Sequence, residues 1–231
     1  STSRRQRQMC IRDSFQNFTN TYDTVEMLKA KYEAALIDKR IVGISIATRP
    51  DCINEDIARL LKKYADKYYI TVELGLQTSN ENTGKFINRC YTNQDFENAV
   101  NILNHYNIDI VTHLIVGLPN ENKEDIKNTV KFLNNYNIQG LKIHSCYVVK
   151  NTQLEVLYNQ GLYKPLELNE YLEMCAYILT HISPNIIIHR ISGDAPRDLL
   201  VAPSWNVHKK WIINGLEKYM QEKDLFQGMY Y

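Results

Sequence analysis

From Phe15 onward, short β-rich runs alternate with windows in which apolar residues recur at helical spacing. The runs at 15–19, 41–48, 69–76, 108–116, 141–149 and 186–192 predict strands. The helices between them open on readable caps. Asp23 is followed by Glu26, Asn54 precedes Glu55 and Asp56, Thr92 is followed by Asp95, and Asn122 precedes Glu124 and Asp125. Gly161 reads as a C-cap after a helix over 154–160, and 205–222 reads as the last helix. Within the second helix Ile57, Leu60, Leu61 and Tyr64 share one face, which the spacing predicts to be buried. Strand, helix and strand repeating in this way predict βαβ units on a parallel sheet, an α/β fold. Nothing linker-like divides the chain after residue 14. The expectation is therefore a core over 14–161 and a C-terminal α/β extension over 162–231. Residues 1–13 are basic, rich in Gln and Arg and aperiodic, so they read as a non-native, linker-like segment.

The strand pattern carries a second signal. A parallel strand buried on both faces should be almost continuously apolar. Here Gly43, Ser45, Ala47 and Arg49 share a face, as do Thr71, Glu73, Gly75 and Gln77. His113 lies in the fourth run, and Lys142, His144 and Cys146 share a face in the fifth. Small or polar residues on one side of four strands predict a barrel, or part of one, with a polar interior. At the carboxyl ends of these strands stand Thr48-Arg49-Pro50-Asp51, Gln77-Thr78-Ser79 and Gly117-Leu118-Pro119, where a (β/α) barrel builds its active site.

Composition narrows the classes. The 231 residues are 44% hydrophobic and 23% charged, with a formal net charge of +1, which argues against a general nucleic-acid or membrane-surface binder. No apolar run approaches the roughly 20 residues that span a bilayer. Five cysteines, Cys10, Cys52, Cys90, Cys146 and Cys175, are scattered without a C-x-x-C, so neither a disulfide framework nor a metal knuckle can be read from them. A cytoplasmic location is the expectation.

The segments FQNFTNTY, GISIATRPD, VELGLQT, FINRCYT, THLIVGLPNENKED, LKIHSCYVVKNT and HRISGDAPRDLLVAP, in that order, resemble the YhcC/YtqA-like family of radical S-adenosylmethionine (SAM) proteins. TRPD and INR more distantly resemble the elongator catalytic subunit; LGLQT and LIVGLPNE resemble oxygen-independent coproporphyrinogen oxidase. The resemblance implies a partial (β/α)6 TIM-like barrel in which three cysteines of a C-x3-C-x2-C loop hold a [4Fe–4S] cluster. It further implies that the cluster cleaves SAM and that the resulting radical abstracts a hydrogen atom from a substrate. An external one-electron reductant such as flavodoxin or ferredoxin would supply the electron.

Carried over by position, the resemblance implies that Gln77 contacts SAM, Arg89 its carboxylate, and Glu73 its amino group or ribose. Gly117 and Pro119 would pack on adenine with Ile115 beneath it. His113 stands where coproporphyrinogen oxidase has a ribose-binding Asp, a departure from that pattern. Arg49, Lys142, His144, His189, Arg190, Asp194 and Arg197 are the substrate-side candidates. No C-x3-C-x2-C occurs in the chain. The expectation is a barrel fragment missing its first strand and cluster loop, inactive alone, with the cluster belonging to the intact parent only. Two other readings stand beside it: a cluster-less barrel that binds a ligand or partner, and an aldolase-type barrel with Lys142 as base. Kinship with the elongator subunit makes RNA a candidate substrate that net charge does not support; no membrane partner is expected.

Overall fold

A computed structural model describes residues 11–15, 19–193 and 195–231. The chain runs β1 (Ile11–Phe15), α1 (Val25–Ala35), β2 (Ile41–Thr48), α2 (Glu55–Ala65), β3 (Tyr69–Gln77), α3 (Glu81–Phe86), α4 (Asn93–His105) and β4 (Asp109–Val116). It continues through α5 (Lys123–Leu133), β5 (Gly140–Ser145), β6 (Val148–Val149), α6 (Gln153–Asn159), α7 (Leu168–His181), β7 (Ile187–Arg190), β8 (Leu200–Ala202) and α8 (Lys209–Glu222). Six strands form one sheet in the order β1-β2-β3-β4-β5-β7, while β6 and β8 pair apart from it. The pairings β1 with β2, β2 with β3 and β5 with β7 are parallel, as the βαβ rhythm predicts. No helix among the described residues is long and apolar enough to cross a membrane.

The chain divides into two compact units, one ending at Gly75 and taking in 95–111, the other comprising 76–94 and 112–231. In the first, Ile44, Ile46, Val72 and Leu74 are buried from the strands, and Leu28, Tyr32, Leu60 and Leu61 from the helices. Tyr32 meets Phe15 and Tyr64 edge-on and donates its hydroxyl to the Asn20 carbonyl. Gly43 lies opposite Tyr69, so close that a Cβ would sit 2.2 Å from the Tyr69 carbonyl oxygen. Asn54 caps α2 as its position predicts, accepting the Ile57 N–H.

Two expectations shift here. The first strand lies at Ile11–Phe15 instead of 15–19, with Phe15 opposite Ile46. It thus includes three residues of the segment set aside as linker-like; residues 1–10 and 16–18 lie outside the described residues. The strand stops because Asn20 Nδ2 donates to both the Phe15 and the Ala47 carbonyls, turning the chain toward α1. The cap of α1 is Thr24, whose side chain accepts the Met27 N–H from an extended backbone. Asp23 instead binds Lys31 and the Thr24 N–H.

In the second unit α5 opens on the predicted capping box of Asn122 and Asp125. Gly161, at φ +71°, follows α6 as predicted. The strand expected over 141–149 breaks in two. The Cys146 N–H turns to the Val116 carbonyl, and Val148–Val149 then pairs antiparallel with Leu200–Ala202. The last helix starts at Lys209 instead of 205, after a 3₁₀ turn at Ser204–Val207. Gly215 lets α8 lie close to Leu172 of α7.

Candidate functional site

The polar strand face is buried, as the alternation predicts. In the first unit Glu73 is 4% exposed and accepts the Ser45 hydroxyl at 2.5 Å. The expected SAM-amino or ribose partner is therefore a carboxylate already held by its neighbouring strand. Arg49 grips Asp51 through Nε at 2.9 Å and Nη2 at 2.6 Å, so one edge of its guanidinium is engaged locally.

The second unit holds most of the predicted cofactor residues. Gln77 ends β3 in the left-handed region at φ +67°, a conformation rare for a residue with a Cβ and one that clusters at ligand sites. It lines two cavities. One, of about 570 Å³, is walled by Gln77, Ile87, Tyr91, Ile115, Leu118, Pro119, Cys146 and Leu157. The other, of about 340 Å³, shares Gln77, Ile115 and Cys146 and adds His113, His144 and Tyr147. His113 and His144 stack with ring centroids 5.3 Å apart, which brings one expected cofactor residue against one expected substrate residue.

Arg89 is engaged by the chain itself. It belongs to the wall of the larger cavity, but its side chain is only 1% exposed. The guanidinium donates to the carbonyls of Leu76, Thr78 and Tyr91, to Asn93 Oδ1 and to Glu81 Oε2. With five protein oxygens around it, Arg89 braces the loop behind Gln77 instead of offering a carboxylate clamp. Gly117 has φ +86°, and a Cβ there would meet Leu166 at 2.9 Å. Its carbonyl accepts the Tyr163 hydroxyl at 2.8 Å, which anchors the turn leading to Pro119.

The substrate-side candidates scatter. Lys142 is buried and lies opposite Arg190 across the β5–β7 pairing. His189 is exposed on β7, Arg197 belongs to a different cavity beside α8, and Asp194 lies outside the described residues.

Several contributors were not legible as site residues. Glu121 accepts the Thr78 hydroxyl at 2.5 Å, and burial pushes its carboxyl up to about 7. In sequence it stands only as the last residue of the LIVGLPNE segment, with no role attached. Tyr163 is also hidden in sequence, whereas the alternation had already set the Cys146 thiol on the face shared with Lys142 and His144. Burial pushes that thiol up to about 11, so it stays protonated at neutral pH.

Comparison with known proteins bears on this geometry. The Radical SAM superfamily profile matches residues 13–133 and the Radical_SAM C-terminal domain profile residues 138–222. YtqA of Bacillus subtilis is 36% identical over 217 residues, covering 94% of this chain and 67% of YtqA. YhcC of Escherichia coli K12 is 31% identical over 209 residues, 90% of this chain and 68% of YhcC. The chain thus spans about two thirds of these relatives' length. Among solved structures, the archaeal Methanocaldococcus infernus Elp3 with an N-terminal deletion superposes at a TM-score of 0.78. It is 23% identical and covers 94% of this chain and 55% of that one, a likeness that shows the partial (β/α) barrel fold. By the two profiles and the two relatives, this chain belongs to the radical SAM superfamily, in the YhcC/YtqA-like family.

Proposed function

We propose that this chain is the SAM-binding portion of a radical SAM enzyme, whose whole form cleaves SAM and abstracts a hydrogen atom from a substrate. The observation that carries the reading is Gln77. It is a left-handed, non-glycine residue at a strand end, shared by two cavities and braced from behind by Arg89. The larger cavity suits an adenosine-bearing ligand. Ile115, Leu118, Pro119 and Leu157 offer an apolar bed, and Gln77 offers both a donor and an acceptor. Gly117, held by Tyr163, keeps the turn that places Pro119.

The cluster fits less well. Among the described residues no three metal-ligating side chains converge, and Cys52, Cys90, Cys146 and Cys175 form no disulfide with one another. Burial pushes the Cys146 thiol up to about 11 and the Cys175 thiol up to about 12. Cys90 is exposed, in a left-handed turn beside Arg89. No step through the cluster is therefore assigned to these residues. This portion binds and orients SAM and shields it from water.

Calorimetric titration with SAM tests the reading. Saturable binding is expected, with Gln77→Ala and Ile115→Asp each weakening it at least about tenfold, the effect of losing one buried ligand contact. Unchanged affinity in both variants, with native circular dichroism, would overturn the assignment.

A further inference from the structure

A third cavity, of about 530 Å³, lies at the start of α8, and the SAM reading does not use it. Arg197, Lys209 and Lys210 line it, and none of its described lining residues is acidic. Helix α8 is 14 residues long, and its first residue follows His208, whose side chain makes no capping hydrogen bond. The helix therefore presents its positive end to the cavity without a side chain to quench it. At the wall stands Asn206, 1% exposed. Its Oδ1 accepts the Ser145 hydroxyl, while its Nδ2 has no hydrogen-bond partner in the chain. A buried amide donor left in this way is a rare feature, and its free energy is recovered when an acceptor arrives. Beside it the His208 ring stacks on the Trp211 indole at 4.0 Å and 20°, and Trp211 is 57% exposed. Positive side chains, a bare helix N-terminus, an unpartnered amide donor and an exposed indole occur at one place.

We propose that this cavity binds a nucleoside monophosphate. The phosphate sits at the α8 N-terminus between Arg197 and Lys210, within reach of Asn206, and the base stacks at the Trp211 edge of the site. The volume is in the range of a nucleotide pocket. Ser145 links this site to the smaller of the two cavities at the strand ends, which it also lines. On the reading proposed above, the nucleotide is then the substrate-side group and SAM the cofactor. That role rests on that reading; the binding itself does not.

Trp205 and Trp211 are the only tryptophans, so their fluorescence reports the site. Titration with AMP is expected to quench it saturably, inorganic phosphate to compete, and adenosine to bind at least about tenfold more weakly, since it lacks the charged group. Arg197→Gln and Lys210→Gln lie on the surface and are expected to weaken AMP about five- to tenfold each. Asn206→Asp, which places a carboxylate against the phosphate, is expected to abolish binding. In Gln77→Ala the AMP affinity is expected to stay unchanged while SAM binding falls, which separates failure of this inference from failure of the SAM reading. A 5′-phosphorylated RNA pentamer binding at least tenfold tighter than AMP identifies a strand end as the source of the phosphate; equal or weaker binding identifies a free nucleotide. Adenosine binding as tightly as AMP, or AMP affinity unchanged in the Arg197→Gln/Lys210→Gln double variant, would overturn the proposal.

Discussion

Glu121 shows how burial rather than charge pairing sets a single residue's behaviour. Its carboxyl is held by Thr78 on one oxygen, and burial raises its proton affinity from the ordinary value of 4.5 to about 7. The folded state therefore binds a proton that the unfolded state has already lost between those two pH values. Ionising Glu121 costs stability: nothing below about pH 4.5, increasingly through the interval, and fully above about pH 7. Glu121→Gln keeps the acceptor for Thr78 and removes the charge. We expect it to stabilise the protein by about 2 kcal/mol at pH 8 and to leave it unchanged at pH 4, read from urea midpoints at both values. A gain of equal size at both pH values would show that packing, and not ionisation, is responsible. Arg89 is the opposite case, a buried charge surrounded by five oxygens. Three of those are backbone carbonyls, which carry no residue type, so no sequence motif could reveal that its role is bracing.

At the scale of elements, strands and caps were readable because their signals are local. The period-2 set of Ser45, Thr71 and Glu73 is buried as its alternation predicts, and Asn54, Asn122 and Gly161 punctuate helices where their chemistry says they should. What failed was local geometry decided by distant partners. The run 141–149 looks like one strand, but the Val116 carbonyl draws off Cys146 and the chain of β8 takes Val148 and Val149. The left-handed turn at Gln77 was equally hidden, because glutamine does not advertise a positive φ as glycine does. Gly43 gives the element scale its test. A Cβ there meets the Tyr69 carbonyl oxygen, which belongs to the backbone of β3 and can move only by parting the two strands. Gly43→Ala is expected to cost about 1–3 kcal/mol in chemical denaturation. Thermal stability within a degree of the parent would show that the β2–β3 pairing yields more easily than this spacing implies.

For the molecule as a whole, the two profiles between them cover most of the chain, while the chain spans about two thirds of YtqA and YhcC. On the reading proposed above, binding SAM and breaking it can be tested apart. The walls of the larger cavity come from the β3 and β4 ends, the segment 86–91, Cys146 and α6, all within one compact unit, whereas no three of the described metal-ligating side chains gather. Incubated anaerobically with iron, sulfide, SAM and dithionite, this chain is expected to bind SAM without forming 5′-deoxyadenosine. Chromatographic detection of 5′-deoxyadenosine above the protein-free control would sink that expectation.

Cys90 has a practical consequence. Of the four described cysteines it alone is exposed, and its chain neighbours Arg89 and Tyr91 both line the larger cavity. With Cys10 replaced by serine, a maleimide dye or nitroxide should therefore attach there first, while the half-buried Cys146 and the buried Cys175, both held as thiols, react slowly at neutral pH. The molecule thus carries a native attachment point beside the larger cavity, from which ligand entry can be followed in real time without building a reporter into the cavity itself.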